Sequence, residues 1–487
     1  MTVKSKETRK IIVSGKASKH EIVDDTARKN MRYSTSEGVF NSASDSINNA
    51  YLTPFAMSLG ATSAEVGILS AAQNLASTLS QIPGAMLTEY VDRKTIWVFA
   101  QTFGKILLWI PLLLLPFLGI GNPVSIFIVI AFMISFATGV RRPAWTSLMG
   151  DVIPSSIRGR YFGSRNTILG ISGIVMTLIG GYIISSYGFS TIFAVYVILN
   201  IVAIPFFIRM LEPPSKRIYH YRHRISIRPG NWPSTIRANK GLSIFTAFLG
   251  LMYFATTISS PFYTVYMLRD LHINYMIFAV LTTIGAVAHI VTFKYWGKLI
   301  DRFGSRNILF VTALLSIFTP LLWIVSSSPL SIAFLMIFDG FAWAGFDQVA
   351  FTFLLDIIPA ERRPQYIANH NFFVGMGIFF GALAGCVLAS IFESQALFIF
   401  AGLHVLFLLS FILRLVPLAL LTKMPRMDIK QTDIMPVKYV FIQSMAVEPV
   451  KDINNLIHYT FRYPYEIEKE FMNDIRKIKY KIRMKTA

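Results

Sequence analysis

The stretches "IWVFAQTFGKILLWIPLLLLPFLGI" (96–120) and "LFIFAGLHVLFLLSFILRLVPLALL" (397–421) constrain this chain more than anything else in it. Each exceeds the ~20 residues a helix needs to cross a ~30 Å hydrocarbon layer. In lipid every backbone amide must find its partner within the protein, which leaves helices or closed barrels. Apolar runs this long and continuous select helices. Composition agrees, with 54% of residues hydrophobic and 15% charged, against about 25% charged in soluble domains. The mean hydropathy is +0.53. The lone Cys386 excludes an internal disulfide. The first 32 residues read as a polar, basic tail rather than a signal peptide, having no apolar core.

The apolar blocks predict an all-α integral membrane fold with twelve spans. They lie at 33–57, 64–88, 95–119, 123–149, 165–186, 189–210, 242–268, 274–296, 307–326, 330–355, 366–392 and 395–421. The connections fall into two sets. One has Arg269 as its sole Lys or Arg. The other holds Arg93, Lys94, Arg158, Arg160, Arg165, Lys298, Arg302, Arg306, Arg362 and Arg363, with seven more within 212–241. Short translocated loops lose Lys and Arg, so the basic set and both tails are expected to face the cytosol of a cell-membrane protein. The net charge of +20 then reads as a topology label and an attraction to anionic lipid heads. Nucleic acid is not an expected partner; the lipid bilayer is.

"DVIPSSIRGRYFGSRN" (151–166) and "DIIPAERRPQYIANHN" (356–371) repeat one pattern 205 residues apart. Between 151–180 and 356–385 the identities include Asp151/Asp356, Arg158/Arg363, Asn166/Asn371, Gly170/Gly375 and Gly180/Gly385. The expected organisation is a tail (1–32), a six-helix half (33–211), a basic linker (212–241), a second half (242–421) and a second tail (422–487). Internal repeats of this kind typify secondary transporters, whose two bodies rock about a shared site.

"GKLIDRFGSRN" (297–307), between spans eight and nine, resembles the loop signature G-x-L-x-D-R-x-G-x-R of the major facilitator superfamily. The first copy, "GAMLTEYVDRK" (84–94), keeps Gly84 and Leu87 but has Thr88 and Glu89 where the family has Asp-Arg. "RPAW…GDVIPSSIRGR" (142–160) is similar to the family's pattern after span four. The resemblance implies that Asp301, Arg302 and Arg306 latch the halves when the cytosolic side is shut, with Gly297 allowing close helix approach. Asp151, Arg158, Asp356 and Arg363 of the repeated pattern belong to the same expected gate. A static turn carrying topology charges is the plainer alternative.

Ionisable groups at mid-bilayer cost about 2.5–3.5 kcal/mol on insertion scales, so they tend to mark a pathway. Span one carries Glu37, Asn41, Asp45 and Asn48 at helical spacing, one polar stripe. Span four carries Arg141 and Arg142, and span ten Asp339 and Asp347. In the resembled family spans one, four, seven and ten line the central cavity. Asp45 and Asp347 are the expected protonation sites, with Arg142 as counter-charge or anion ligand. Arg141 lies 100° away on the helix, so only one of the two arginines is expected to face the cavity. A static ion pair fixing helix packing is the competing reading. Gln73, Asn74 and Gln81 on span two are candidate substrate contacts, and His289 a further titrating group. Lys105, Lys294 and Arg414 are expected to pack or snorkel.

No phosphate loop, H-E-x-x-H motif or nucleophile elbow occurs. The chain is thus expected to be a monomeric secondary transporter of a small solute, without cofactor or metal, not an enzyme, and proton-coupled. The alternative is a transport-inactive membrane sensor or scaffold. The tail after Lys423 suggests a strand at 437–443 and an amphipathic helix at 466–485.

Overall fold

A computed structural model describes residues 25–117, 119, 121–153, 158–211, 240–358, 363–392, 396–397 and 400–424. The expected strand at 437–443, the helix at 466–485 and nearly all of the 212–241 linker lie outside these residues. Twelve long helical segments follow one another. They are α1 (Asp25–Ser58), α2 (Ser63–Tyr90), α3 (Arg93–Phe117), α4 (Pro123–Val152), α5 (Arg158–Tyr187) and α6 (Phe189–Arg209). The second series is α7 (Lys240–Asp270), α8 (Tyr275–Phe303), α9 (Ser305–Val325), α10 (Pro329–Ile357), α11 (Arg363–Phe392) and α12 (Leu403–Thr422). Ten are long and apolar enough to cross a membrane. The other two, α1 and α2, have 34 and 28 residues, ample length at 1.5 Å per residue. In α1 the polar stripe dilutes the apolar run.

Several elements differ from expectation: α5 starts at Arg158 rather than 165 and α8 runs on to Phe303 rather than 296, both extending into the basic loops. Helix α1 begins at Asp25, inside the segment read as tail. Helix α3 is not uniform. Its Phe103–Leu107 turn is a π-helix, with Leu108 N–H reaching back to Phe103 O at 3.1 Å. Pro111 cannot donate to Leu107 O, and the widened turn carries Lys105. Helix α12 starts at Leu403 rather than 395, after a hairpin pairing Ala396–Leu397 with Phe400–Ala401. It breaks again between Leu415 and Leu418, beside Pro417.

The same helix pairings recur in both halves. α1 lies on α5 as α7 lies on α11, and α2 lies on α4 as α8 lies on α10. Two seams join the halves, α2 against α11 and α5 against α8. Of the repeated glycines, Gly170 and Gly375 sit on these seams, while Gly180 and Gly385 let Tyr51 and Ile258 of their own halves come close. A Cβ at Gly375 of α11 would come within 2.5 Å of the Thr78 hydroxyl on α2, and one at Gly170 of α5 within 3.0 Å of Ile290 on α8.

The apolar core is continuous across the halves at one end only. There Tyr51, Phe55, Trp109 and Phe193 share a cluster with Phe262, Tyr266, Trp323 and Phe407. Phe189 meets Tyr275 edge-on at 5.3 Å, and Arg269 Nη1 donates to Ser63 Oγ at 2.8 Å across the halves. At the opposite, basic end the cores are separate, one around Trp97, Leu148 and Phe207 and the other around Trp296, Phe245 and Phe353. The halves are closed at the sparsely charged end and parted at the basic end.

Tight seams make a prediction. Gly375→Val should overpack the α2–α11 seam at a cost of about 1–3 kcal/mol, read as a lower unfolding midpoint in detergent. Gly163→Ala, facing open space, should stay within about 0.5 kcal/mol.

Candidate functional site

The polar stripe of α1 splits between two environments. Glu37 and Asn41 are buried inside the first half, while the Asp45 side chain, 44% exposed, stands at its edge. Asn48 lies one turn further on and donates to Asn49 Oδ1 at 3.2 Å. Around Asn41 a closed network assembles. Its Oδ1 accepts from Lys105 Nζ at 3.2 Å, Gln101 Nε2 at 3.1 Å and Arg141 Nη1 at 3.0 Å. Its amide donates to Glu37 Oε1 at 2.6 Å. Gln101 bridges onward, donating to Asn200 Oδ1 at 2.9 Å and accepting from Arg141 at 2.7 Å.

The charges in this network are paired unevenly. Arg165 Nη2 meets Glu37 Oε2 at 3.3 Å, and its guanidinium lies 4.8 Å over the Trp145 ring. Lys105, only 2% exposed at its side chain, is ion-paired and hydrogen-bonded to Asp45. Among the described residues Arg141 donates to amide oxygens and lies 5.4 Å from the Trp97 ring. Three cations thus face two carboxylates, a surplus held by amide dipoles and a ring face.

Arg141 and Arg142 are separated as their 100° offset requires. Arg141 points into the network; Arg142 is exposed. Arg142 follows the exposed Met133 by nine residues, or half a turn around the helix, so it lies opposite that apolar outer face. It shares its side with the exposed Thr146 nearer the basic end. The expectation that Arg142 is the counter-charge of Asp45 and Asp347 is corrected: Lys105 pairs with Asp45, and His289 with Asp347. Lys105 is no snorkelling side chain either, because the π turn of α3 holds it at the network centre.

In the second half, Asp347 of α10 is 46% exposed at its side chain. His289 Nε2 of α8 lies 3.5 Å from its carboxylate, and Tyr253 of α7 donates to it at 3.2 Å. Asp339 turns instead toward α9, accepting from Thr319 Oγ1 at 2.9 Å. Arg414 of α12 is 1% exposed and donates to Ser316 O at 2.5 Å. Gln73 is half-buried on α2.

A cavity of about 510 Å³ opens between α1 and α5 of one half and α7 and α8 of the other, with His289 in its wall. Its wall thus comes from both halves.

The expected gate residues make contacts within their own halves. Arg93 Nη1 reaches Asp151 at 2.6 Å, and Ser305 Oγ donates to Asp356, the repeat-equivalent residue, at 3.0 Å. Arg306 donates to Leu421 O and Thr422 O at 3.4 and 3.3 Å. Asp301 is exposed; Arg302 lies 5.1 Å from the Phe303 ring; Gly297 lets Gln348 of α10 approach. Arg158 and Arg363 open α5 and α11, and their side chains lie outside the described residues.

Three residues central to these contacts were not singled out from sequence. Gln101 was missed although it lies one turn before Lys105. Asn200 was missed although it is a single amide in the run "VYVILNIVAIPFF". Tyr253 had no signal beyond being one aromatic among many.

The sequence matches the Major Facilitator Superfamily over residues 38–263 and 242–442. No curated protein matches it. Among solved structures it is similar to the nucleoside transporter NupG, at 13% identity and TM-score 0.61, covering 82% of this chain and 99% of that one. It is similar also to a bacterial homologue of the human lysosomal transporter Spinster, inward-facing and unoccupied, at 13% and 0.59, covering 88% and 100%. The E. coli xylose transporter XylE, inward open, gives 12% and 0.57, covering 86% and 98%. Likeness at such identities establishes the fold. With the family match spanning both halves, this chain belongs to the Major Facilitator Superfamily and is a multi-pass membrane transport protein.

Proposed function

We propose that this protein is a secondary transporter that moves a small solute by alternating access, coupled to protons. The observation that supports it best is the pair of half-exposed carboxylates, Asp45 and Asp347, one in each half. Each is held by a basic partner, Lys105 or His289. Protonating either carboxylate would release its partner, so a proton and the local helix geometry are linked. Each proton moved down a potential contributes about 2.3 kcal/mol per 100 mV. The basic end is the cytosolic one by its Lys and Arg content, which puts both tails in the cytosol of the cell membrane and makes the structure inward-open. Asp301, Arg302 and Arg306 with the Asp151/Arg158 and Asp356/Arg363 turns then form the cytosolic gate, and the Arg269–Ser63 contact the outer one. The protein works as a monomer, its two halves supplying the whole pathway.

A second reading, a transport-inactive sensor or scaffold, is favoured by the Thr88-Glu89 replacement in the first loop. Proteoliposome uptake of a mixed metabolite library, with and without a pH gradient, separates the two. Accumulation is expected for the transporter, and none of any compound for the scaffold.

Three outcomes follow for variants. Asp45→Asn and Asp347→Asn should each abolish pH-gradient-driven accumulation while counterflow exchange persists; unchanged gradient-driven uptake in both excludes them as the coupling site. Asp45→Asn should also destabilise the fold by about 1–3 kcal/mol, because buried Lys105 loses its half-exposed counter-charge, and adding Lys105→Met should recover much of that midpoint. Arg269→Ala should raise the labelling rate of a cysteine placed at Asn49 from the outside, because it loosens the closed end.

A further inference from the structure

The hydroxyls and amide of the cavity wall say what it can hold. Three of its hydroxyls spend their hydrogens on their own helices. Ser46 Oγ donates to Ala43 O at 2.7 Å, Thr177 Oγ1 to Gly173 O at 3.0 Å, and Thr282 Oγ1 to Phe278 O at 3.0 Å. A hydroxyl committed in this way still has lone pairs, so it meets a ligand as an acceptor. The three come from α1, α5 and α8, and thus from both halves. Asn49 faces the cavity as well, its Oδ1 already occupied by Asn48.

No Lys, Arg, Asp or Glu lines this cavity, and its one ionisable side chain, His289, is turned to the Asp347 carboxylate at 3.5 Å. The half-exposed carboxylates Asp45 and Asp347 have basic partners of their own. An ionised solute would shed hydration here without an opposite charge to replace it, a heavy cost. The wall also offers hydrogens, from Thr264, the Asn49 amide and the Thr283 hydroxyl, which has no partner among the described residues. It therefore suits groups that donate and accept alike, as hydroxyls do, and that carry no net charge. The rest of it is apolar and includes Ile174, Ile290 and the Phe278 ring, alongside Gly170 and Gly173. Such a surface suits the C–H face of a carbon skeleton. The volume falls within the ~300–1,000 Å³ of small-molecule sites.

We propose that the transported solute is an uncharged polyhydroxylated compound, bound by hydroxyl donation to Ser46, Thr177 and Thr282 with its carbon face on Phe278. This rests on the transporter reading above and names its substrate class.

The test uses the full-length protein in proteoliposomes, with counterflow measured for radiolabelled probes of three charge classes. Ribitol, D-glucose and trehalose are the neutral polyols, D-gluconate and glucose 6-phosphate the anions, and D-glucosamine the cation. The expected result is saturable uptake of at least one neutral polyol, blocked by excess of another and not by the charged analogues. Thr282→Val and Ser46→Ala, each close to isosteric, should raise KM about tenfold, the loss of one hydrogen bond, with kcat nearly unchanged. Thr191→Val, exposed at the far end of α6, should behave as the wild type. A KM unmoved by both cavity variants overturns the assignment. So does preferential uptake of an anion, an amine or any non-hydroxylated compound from a wider metabolite library, in which case the transporter reading stands. If no compound of any class is carried, both readings fall.

Discussion

A charge inside a membrane protein must find its partner within reach, because neither lipid nor a dry core will solvate it. The interior of this protein is arranged around that requirement. In the first half, Lys105 and Asp45 meet where the polar network ends and the crevice begins. The lysine is buried and the aspartate is half exposed, so one partner is fixed in the body and the other is within reach of water. The positions of Asn41, Gln101, Asn200 and Arg141 follow from this, since each supplies or uses a hydrogen bond that keeps the buried cations satisfied. The second half meets the same demand with different residues. Asp347 stands at the crevice with His289 and Tyr253, while Asp339 and Arg414 are served by hydroxyl and carbonyl groups deeper inside.

Each half therefore has its polar interactions mostly inside itself, and this bears on how the halves can move. Across the seams α2–α11 and α5–α8 the contacts are small residues and apolar side chains, such as Gly375 on Thr78 and Gly170 on Ile290. Among the described residues no buried ion pair crosses either seam, so sliding along it breaks none. At the closed end the joining contacts are aromatic rings and the Arg269–Ser63 hydrogen bond; at the basic end the two cores are separate. Two rigid bodies joined by a weakly polar interface can tilt without stranding a charge.

Much of this was legible beforehand, for identifiable reasons. Apolar runs longer than a bilayer is thick admit few alternatives, so the helices were readable. Their basic ends were not: α1, α5 and α8 run seven or eight residues past the apolar runs into polar, basic sequence. Local chemistry intervened elsewhere. Pro111 with its π turn in α3 and Pro417 in α12 are such places. The stripe Glu37, Asn41, Asp45, Asn48 was readable because helical spacing puts those positions on one face. The partners of that stripe were not. Lys105 lies on another helix, 60 residues from Asp45, and nothing in its own apolar run marks its partner, while Asn200 was a lone amide in an apolar run.

The sequence alone determined a duplicated, all-helical membrane protein with a basic end, because hydrophobic length, Lys and Arg placement and the 205-residue repeat are properties of the chain in one dimension. Tertiary structure alone decided who pairs with whom. Arg141 and Arg142 are adjacent in sequence, yet one joins the buried network and the other is exposed, since 100° of helical rotation sends neighbours to different surroundings. Pairing depends on which side chains from α1, α3, α4, α8 and α10 converge in space, and no spacing within a single helix encodes that convergence.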